Sequence, residues 1–152
     1  MLRVIDTTNW DTSKITNFSY AFSSCVNVYK LDVSGFDTSS ATNMSYMFEY
    51  CYKLKMLDVR KLDTSHVTTF AYMFRSCNRL EELDVSNFNT SSATTLAYMF
   101  NGLWNVKELN VAGFNTAKVT NLTYMFGGCK YIASLDCSNW DVSKVTDASY
   151  MF

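Results

Sequence analysis

The sequence predicts a right-handed repeat solenoid of about six turns, each turn a parallel β-strand followed by a short helix or turn. Two observations predict it. From Ile5 the 152-residue chain falls into 26-residue units without an insertion: 5–30, 31–56, 57–82, 83–108, 109–134 and the incomplete 135–152. The same apolar positions also return in every unit, which opens on Ile5, Leu31, Leu57, Leu83, Leu109 or Leu135. A unit this short cannot bury its own apolar face. Its neighbours must supply the core, and equivalent positions must align in columns. Residues 1–152 then form one domain.

The elements of one unit follow from local spacing. Leu54, Leu57 and Val59 have the L-x-x-L-x-L spacing of a leucine-rich-repeat strand. The D-T-S stretch at 37–39 predicts a turn. Beyond it, Ala41, Met44, Met47, Phe48 and Cys51 fall on one face of a predicted helix. Thr42 would be its N-cap, and threonine fills that position in all six units (Thr16, Thr42, Thr68, Thr94, Thr120, Thr146).

Several columns carry groups capable of chemistry. Cys25, Cys51, Cys77 and Cys129 share one position and Leu103 takes their place in the fourth unit. A slot that accepts leucine reads as buried packing, with a cross-turn disulfide as the alternative. Cys137 stands at the strand valine. Two acidic columns, one running from Asp6 to Asp136 and one from Asp11 to Asp141, are interrupted by Asn110 and by Asn89 and Asn115. Aspartate and asparagine share the ability to accept a backbone N–H at a turn, which favours turn capping over a calcium ladder. Tyr20, Tyr46, Tyr72, Tyr98, Tyr124 and Tyr150 form a column read as ring stacking, with a binding stripe as the alternative. The column from Trp10 to Trp140 accepts Leu62 and reads as a core corner. The single histidine, His66, has no partner constellation around it, and no glycine-rich phosphate loop is present, so an enzyme is not expected. No metal or other cofactor is expected either.

These columns also carry a family likeness. Phe48-Cys51-Leu54-Leu57-Val59, and again Phe74-Cys77-Leu80-Leu83-Val85, resembles the BspA-type leucine-rich repeats of bacterial surface proteins. The unit LDVSNFNTSSATTLAYMFNG is even more similar to the 26-residue repeat of mycoplasma- and listeria-type surface lipoproteins, a family of unassigned function. The resemblance covers residues 5–152. It implies a bacterial extracellular or cell-surface setting, as a segment of a longer secreted protein, with adhesion to a host or neighbouring-cell protein or glycan.

Specificity is expected where the copies differ. The divergent positions flank the strand and nominate ten ligand-binding candidates: Tyr29, Tyr50, Tyr52, Lys55, Arg60, Arg79, Glu82, Trp104, Lys107 and Tyr131. Tyrosine, tryptophan and arginine are the types enriched at binding hot spots. The net charge of −1 gives no bulk attraction to nucleic acid, and no apolar run approaches a membrane span, so neither nucleic acid nor direct membrane insertion is expected. Residues 1–6 lack the apolar core of a signal peptide. The alternative function is structural, a spacer or filament unit stacking head to tail. Phe152 holds the position of Phe126 and Met1 that of Asn27, so the two chain ends carry uncapped repeat positions.

Overall fold

The computed structural model describes residues 2–152; Met1, and with it the expectation for that end, lies outside them. The chain is a repeat domain with a two-stranded parallel sheet. β1 is Val4–Ile5 and β2 is Lys30–Leu31, paired Val4 to Lys30 and Ile5 to Leu31, and Lys30 also bridges to Met56. Every parallel bridge joins residues 26 positions apart, as the period requires.

The helix expected over 42–51 is not there, and no helix occurs among the described residues. The segment is a run of overlapping turns. Met47, Glu49 and Cys51 donate their N–H groups three residues back, to the carbonyls of Met44, Tyr46 and Phe48. The alternate amides point the other way. Met44, Tyr46, Phe48 and Tyr50 donate to Thr69, Ala71, Met73 and Arg75 in the next unit, at 3.2, 2.9, 2.9 and 2.9 Å. Each of these amides is therefore satisfied without a helical i→i−4 bond. Tyr46 and Tyr50 adopt left-handed backbone, with φ of 62° and 59°, a conformation that ends any right-handed helix.

The expected strand at the leucine position is only partly present. A backbone row runs from Tyr29 N–H to Arg3 O, from Lys55 N–H to Tyr29 O and from Glu81 N–H to Lys55 O, at 3.2, 3.3 and 3.4 Å. Among the described residues it does not continue to Lys107. The row of bridges that spans all six units lies elsewhere, through Asn17, Asn43, Thr69, Thr95, Asn121 and Asp147. Thr42 stands beside this row and is not an N-cap. Its N–H and its hydroxyl both donate to Thr16 O, at 2.8 and 3.2 Å, and Thr68, Thr94, Thr120 and Thr146 repeat the pattern.

The core is a set of apolar columns. Phe48, Cys51, Leu54 and Leu57 are all buried. Their strict three-residue spacing is shorter than a helix period and longer than a strand's. It fits a chain that bends continuously around its own interior, turning every third side chain inward. Phe22, Phe48, Phe74, Phe100, Phe126 and Phe152 stack with ring centroids 5.6–5.9 Å apart. A buried polar column runs parallel to them. The hydroxyls of Thr12, Thr38, Thr64, Thr90 and Thr116 donate to carbonyls of the next unit, and those of Thr12, Thr64 and Thr90 also accept an N–H from it.

Candidate functional site

Two faces of the domain differ in kind. On the turn face the copies are alike except at positions 49 and 50 and their equivalents. Tyr20, Tyr46, Tyr72, Tyr98, Tyr124 and Tyr150 all have positive φ, and their rings stack with centroids 4.4, 4.5, 4.5, 4.9 and 4.7 Å apart. Stacking is thus the role of the tyrosine column. A left-handed non-glycine residue costs about 1–2 kcal/mol, and a stacked aromatic pair returns about 0.5–1.5 kcal/mol. The rings roughly offset the strain, and the inter-unit hydrogen bonds hold the conformation.

The acidic columns are turn caps. In every unit Asp or Asn accepts the N–H two residues on, as in Ser34 N–H to Asp32 Oδ1 at 2.9 Å and Ser91 N–H to Asn89 Oδ1 at 3.0 Å. Hydrogen bonds from the residue two positions on hold Asp32 and Asp37 below the usual carboxylate range, the side chains of Ser34 and Ser39 acting first and their backbone N–H groups second. A third capping column, from Asn17 to Asp147, does the same for the overlapping turns. The thiols of Cys51, Cys77 and Cys129 donate to the carbonyls of Phe22, Phe48 and Phe100 at 3.1–3.2 Å, and all five cysteines are free thiols. Burial pushes the Cys51 thiol up to about 12, so it packs as a small apolar group and is a poor nucleophile. His66 is exposed, its Nδ1 3.1 Å from Ser65 Oγ.

The other face carries the divergent residues, and the fold gathers most of the candidates there. Tyr52, Lys55, Arg79 and Trp104 line one groove of about 540 Å³, with Lys53 and Asn78 between them. Glu81 and Asn105 close this groove and open a second one, lined by Glu82, Asp84, Lys107, Glu108 and Tyr131. The first groove carries three cations, Lys53, Lys55 and Arg79, against one carboxylate. In the second, four carboxylates face Lys107. Lys55 reaches Glu81 across the boundary at 3.6 Å, and Lys53 donates to Asn27 Oδ1 at 2.8 Å. Tyr52 and Trp104 are 40% and 53% exposed, large fractions for aromatic rings.

Three candidates lie apart from the grooves. Arg60 is tied to Asp58 by its Nε and Nη2, at 2.9 and 2.8 Å. Tyr29 is exposed on the first units. Tyr50 lies under the Arg75 guanidinium, 5.2 Å from its ring centroid, and meets the Tyr52 ring at 5.6 Å. Spacing alone did not find the cluster built on Arg75. Its guanidinium also lies over the rings of Tyr72 and Tyr98, at 5.4 and 5.5 Å, and donates to the buried Glu49 at 3.2 Å. The signal was present in the sequence: Glu49 and Arg75 stand 26 residues apart, so the period alone makes them neighbours. Lys53, Asn78, Glu81 and Asn105 were not among the ten candidates, although they fall in the divergent blocks.

The fold and its faces define a repeat domain whose copies agree at most positions of the turn face and differ along the grooves. A family model described as a Mycoplasma protein of unknown function, DUF285, matches residues 2–110 and again residues 81–152. The chain belongs to that family. Neither the curated proteins nor the solved structures give a match.

Proposed function

We propose that the chain is a binding module of a bacterial cell surface, in which a solenoid of 26-residue turns presents the two-groove face to a protein or glycan of a host or neighbouring cell. The observation that carries this reading is the convergence of seven divergent candidates, Tyr52, Lys55, Arg79, Glu82, Trp104, Lys107 and Tyr131, on two adjoining grooves. The period alone brings these positions together; their composition, exposed aromatics beside opposite charges, is what favours recognition. A surface of this composition, with large rigid rings and arginine, suits recognition. The kinship with BspA-type leucine-rich repeats and an adhesive role belong to this reading, as does an extracellular location. So does the absence of catalysis, for which neither the His66 surroundings nor the raised thiols offer an activated nucleophile.

The test is attachment. The labelled chain is applied to arrayed host-surface glycans and matrix proteins, beside a double variant Tyr52→Ala, Trp104→Ala. Saturable binding that the variant loses, with an unchanged melting temperature, supports the module. Binding that is absent, or equal in the two proteins, counts against it and favours a structural spacer.

A further inference from the structure

The first groove has a chemistry narrower than general adhesion. Tyr52, Asn78 and Trp104 occupy the same repeat position in three consecutive units, so two aromatic rings flank an amide in one column. Both rings are exposed and line the same groove, so a ligand lying in it meets an aromatic side chain from each of the two outer units. The middle unit contributes the partly buried Asn78 in place of a third ring, which leaves more of the groove to the ligand.

The groove's charge says what enters. Lys53, Lys55 and Arg79 outnumber Glu81, and Lys53 and Lys55 already have partners in Asn27 and Glu81. Arg79 is exposed and makes no ion pair among the described residues. Its planar fork suits a carboxylate. The adjoining groove, with Glu81, Glu82, Asp84 and Glu108, repels any further negative charge on that side. The site therefore favours one carboxylate on an otherwise neutral ligand and disfavours a polyanion.

Resting on the proposed function, we infer that this groove binds a neutral oligosaccharide bearing a single carboxylated sugar. The apolar C–H face of one sugar ring lies against Tyr52 and Trp104, whose faces carry negative quadrupole density. The carboxylate pairs with Arg79, and the exposed amide of Asn105 meets a hydroxyl. An acidic peptide satisfies the cations but leaves the two aromatic side chains and the Asn105 amide without a matching partner.

Titration calorimetry on the intact chain tests this with three probes: aldotetraouronic acid (a xylose chain carrying one methylglucuronate), xylotetraose as its neutral counterpart, and tetraglutamate. The expected order is aldotetraouronic acid first, the other two at least about tenfold weaker. Arg79→Gln should bring aldotetraouronic acid down to the level of xylotetraose. Trp104→Ala should weaken both sugars by about tenfold while leaving the melting temperature in place. Equal binding of xylotetraose, tighter binding of tetraglutamate, or no binding of aldotetraouronic acid overturns the inference. In any of those cases the array attachment lost on Tyr52→Ala, Trp104→Ala tells whether the module reading survives. Attachment that persists only in the unaltered chain keeps the module and rejects this ligand class alone.

Discussion

The turn face and the groove face of each unit are built from adjacent residues and behave differently. Across residues 43–51 and their equivalents, hydrogen bonds, stacked tyrosines and stacked phenylalanines run through successive units. Across residues 52–56 and their equivalents, side chains change from unit to unit, and the backbone row ends after Glu81. The difference teaches a division of labour. Cohesion between units is concentrated in the turn face, so the groove face can vary in sequence without loosening the domain. A position in a column must match its neighbours above and below, whereas a position outside the columns answers only to what it meets in solution.

This division is sharpest in a pair of aromatic truncations. Phe74 is fully buried and stacked between Phe48 and Phe100. Phe74→Ala should cost about 3–5 kcal/mol in denaturant unfolding, the usual penalty for emptying an aromatic core site. Trp104→Ala, on the groove face, should stay within about 0.5 kcal/mol. Similar losses for the two would erase the distinction between the faces.

The buried threonine column should show the next largest effect. Thr64 Oγ1 accepts the Asn89 N–H at 2.8 Å and donates to Asn89 O. Thr64→Val keeps the shape and strands both groups of Asn89, which should cost about 1–3 kcal/mol. An unchanged unfolding midpoint would show that water replaces the hydroxyl there.

The tyrosine column offers a finer test. Tyr72→Ala removes the ring and keeps a Cβ at a φ of 64°. Tyr72→Gly removes both ring and strain. If backbone strain and stacking are the opposed effects here, the glycine variant should be the more stable of the two by about 1 kcal/mol. Greater stability of the alanine variant would mean that the column is not strained.

The smallest effect is electrostatic. The Arg60 side chain, followed by the Arg60 N–H, pushes the Asp58 carboxyl down to about 2 from its ordinary 3.8. A depressed folded-state value contributes stability that is present above pH 3.8 and lost as pH falls through about 2. Arg60→Ala should move the Asp58 titration, followed by carboxyl NMR, back toward 3.8, so that this contribution is lost at a higher pH. An unmoved titration would assign the shift to the turn N–H alone.

Much of this was legible in the residues. The 26-residue period, the columns and the turn-capping role of Asp32 or Asn89 follow from spacing and from the chemistry that Asp and Asn share. The helix did not follow correctly, and the reason is physical. Ala41, Met44 and Met47 are three residues apart, and such short apolar runs fit a helix nearly as well as a chain bending at every third residue. What decides between them is the bond from Tyr46 N–H to Ala71 O, together with a left-handed tyrosine that no propensity favours. The strand was over-read for the same reason, since leucine spacing records burial and Leu109 is buried without being in a strand. The period places Tyr52, Asn78 and Trp104 side by side, but the outlines of the two grooves depend on side-chain packing that spacing does not record.

Amide hydrogen exchange tests the division of labour most directly. Exchange should be slow at Tyr46, Phe48, Tyr72, Phe74, Tyr98 and Phe100, whose N–H groups all bond to the next unit. Exchange should be fast at Lys107 and Glu108, where the backbone row has ended. Uniform protection of both sets, or slower exchange at Lys107 than at Tyr98, would place cohesion on the groove face and contradict that division.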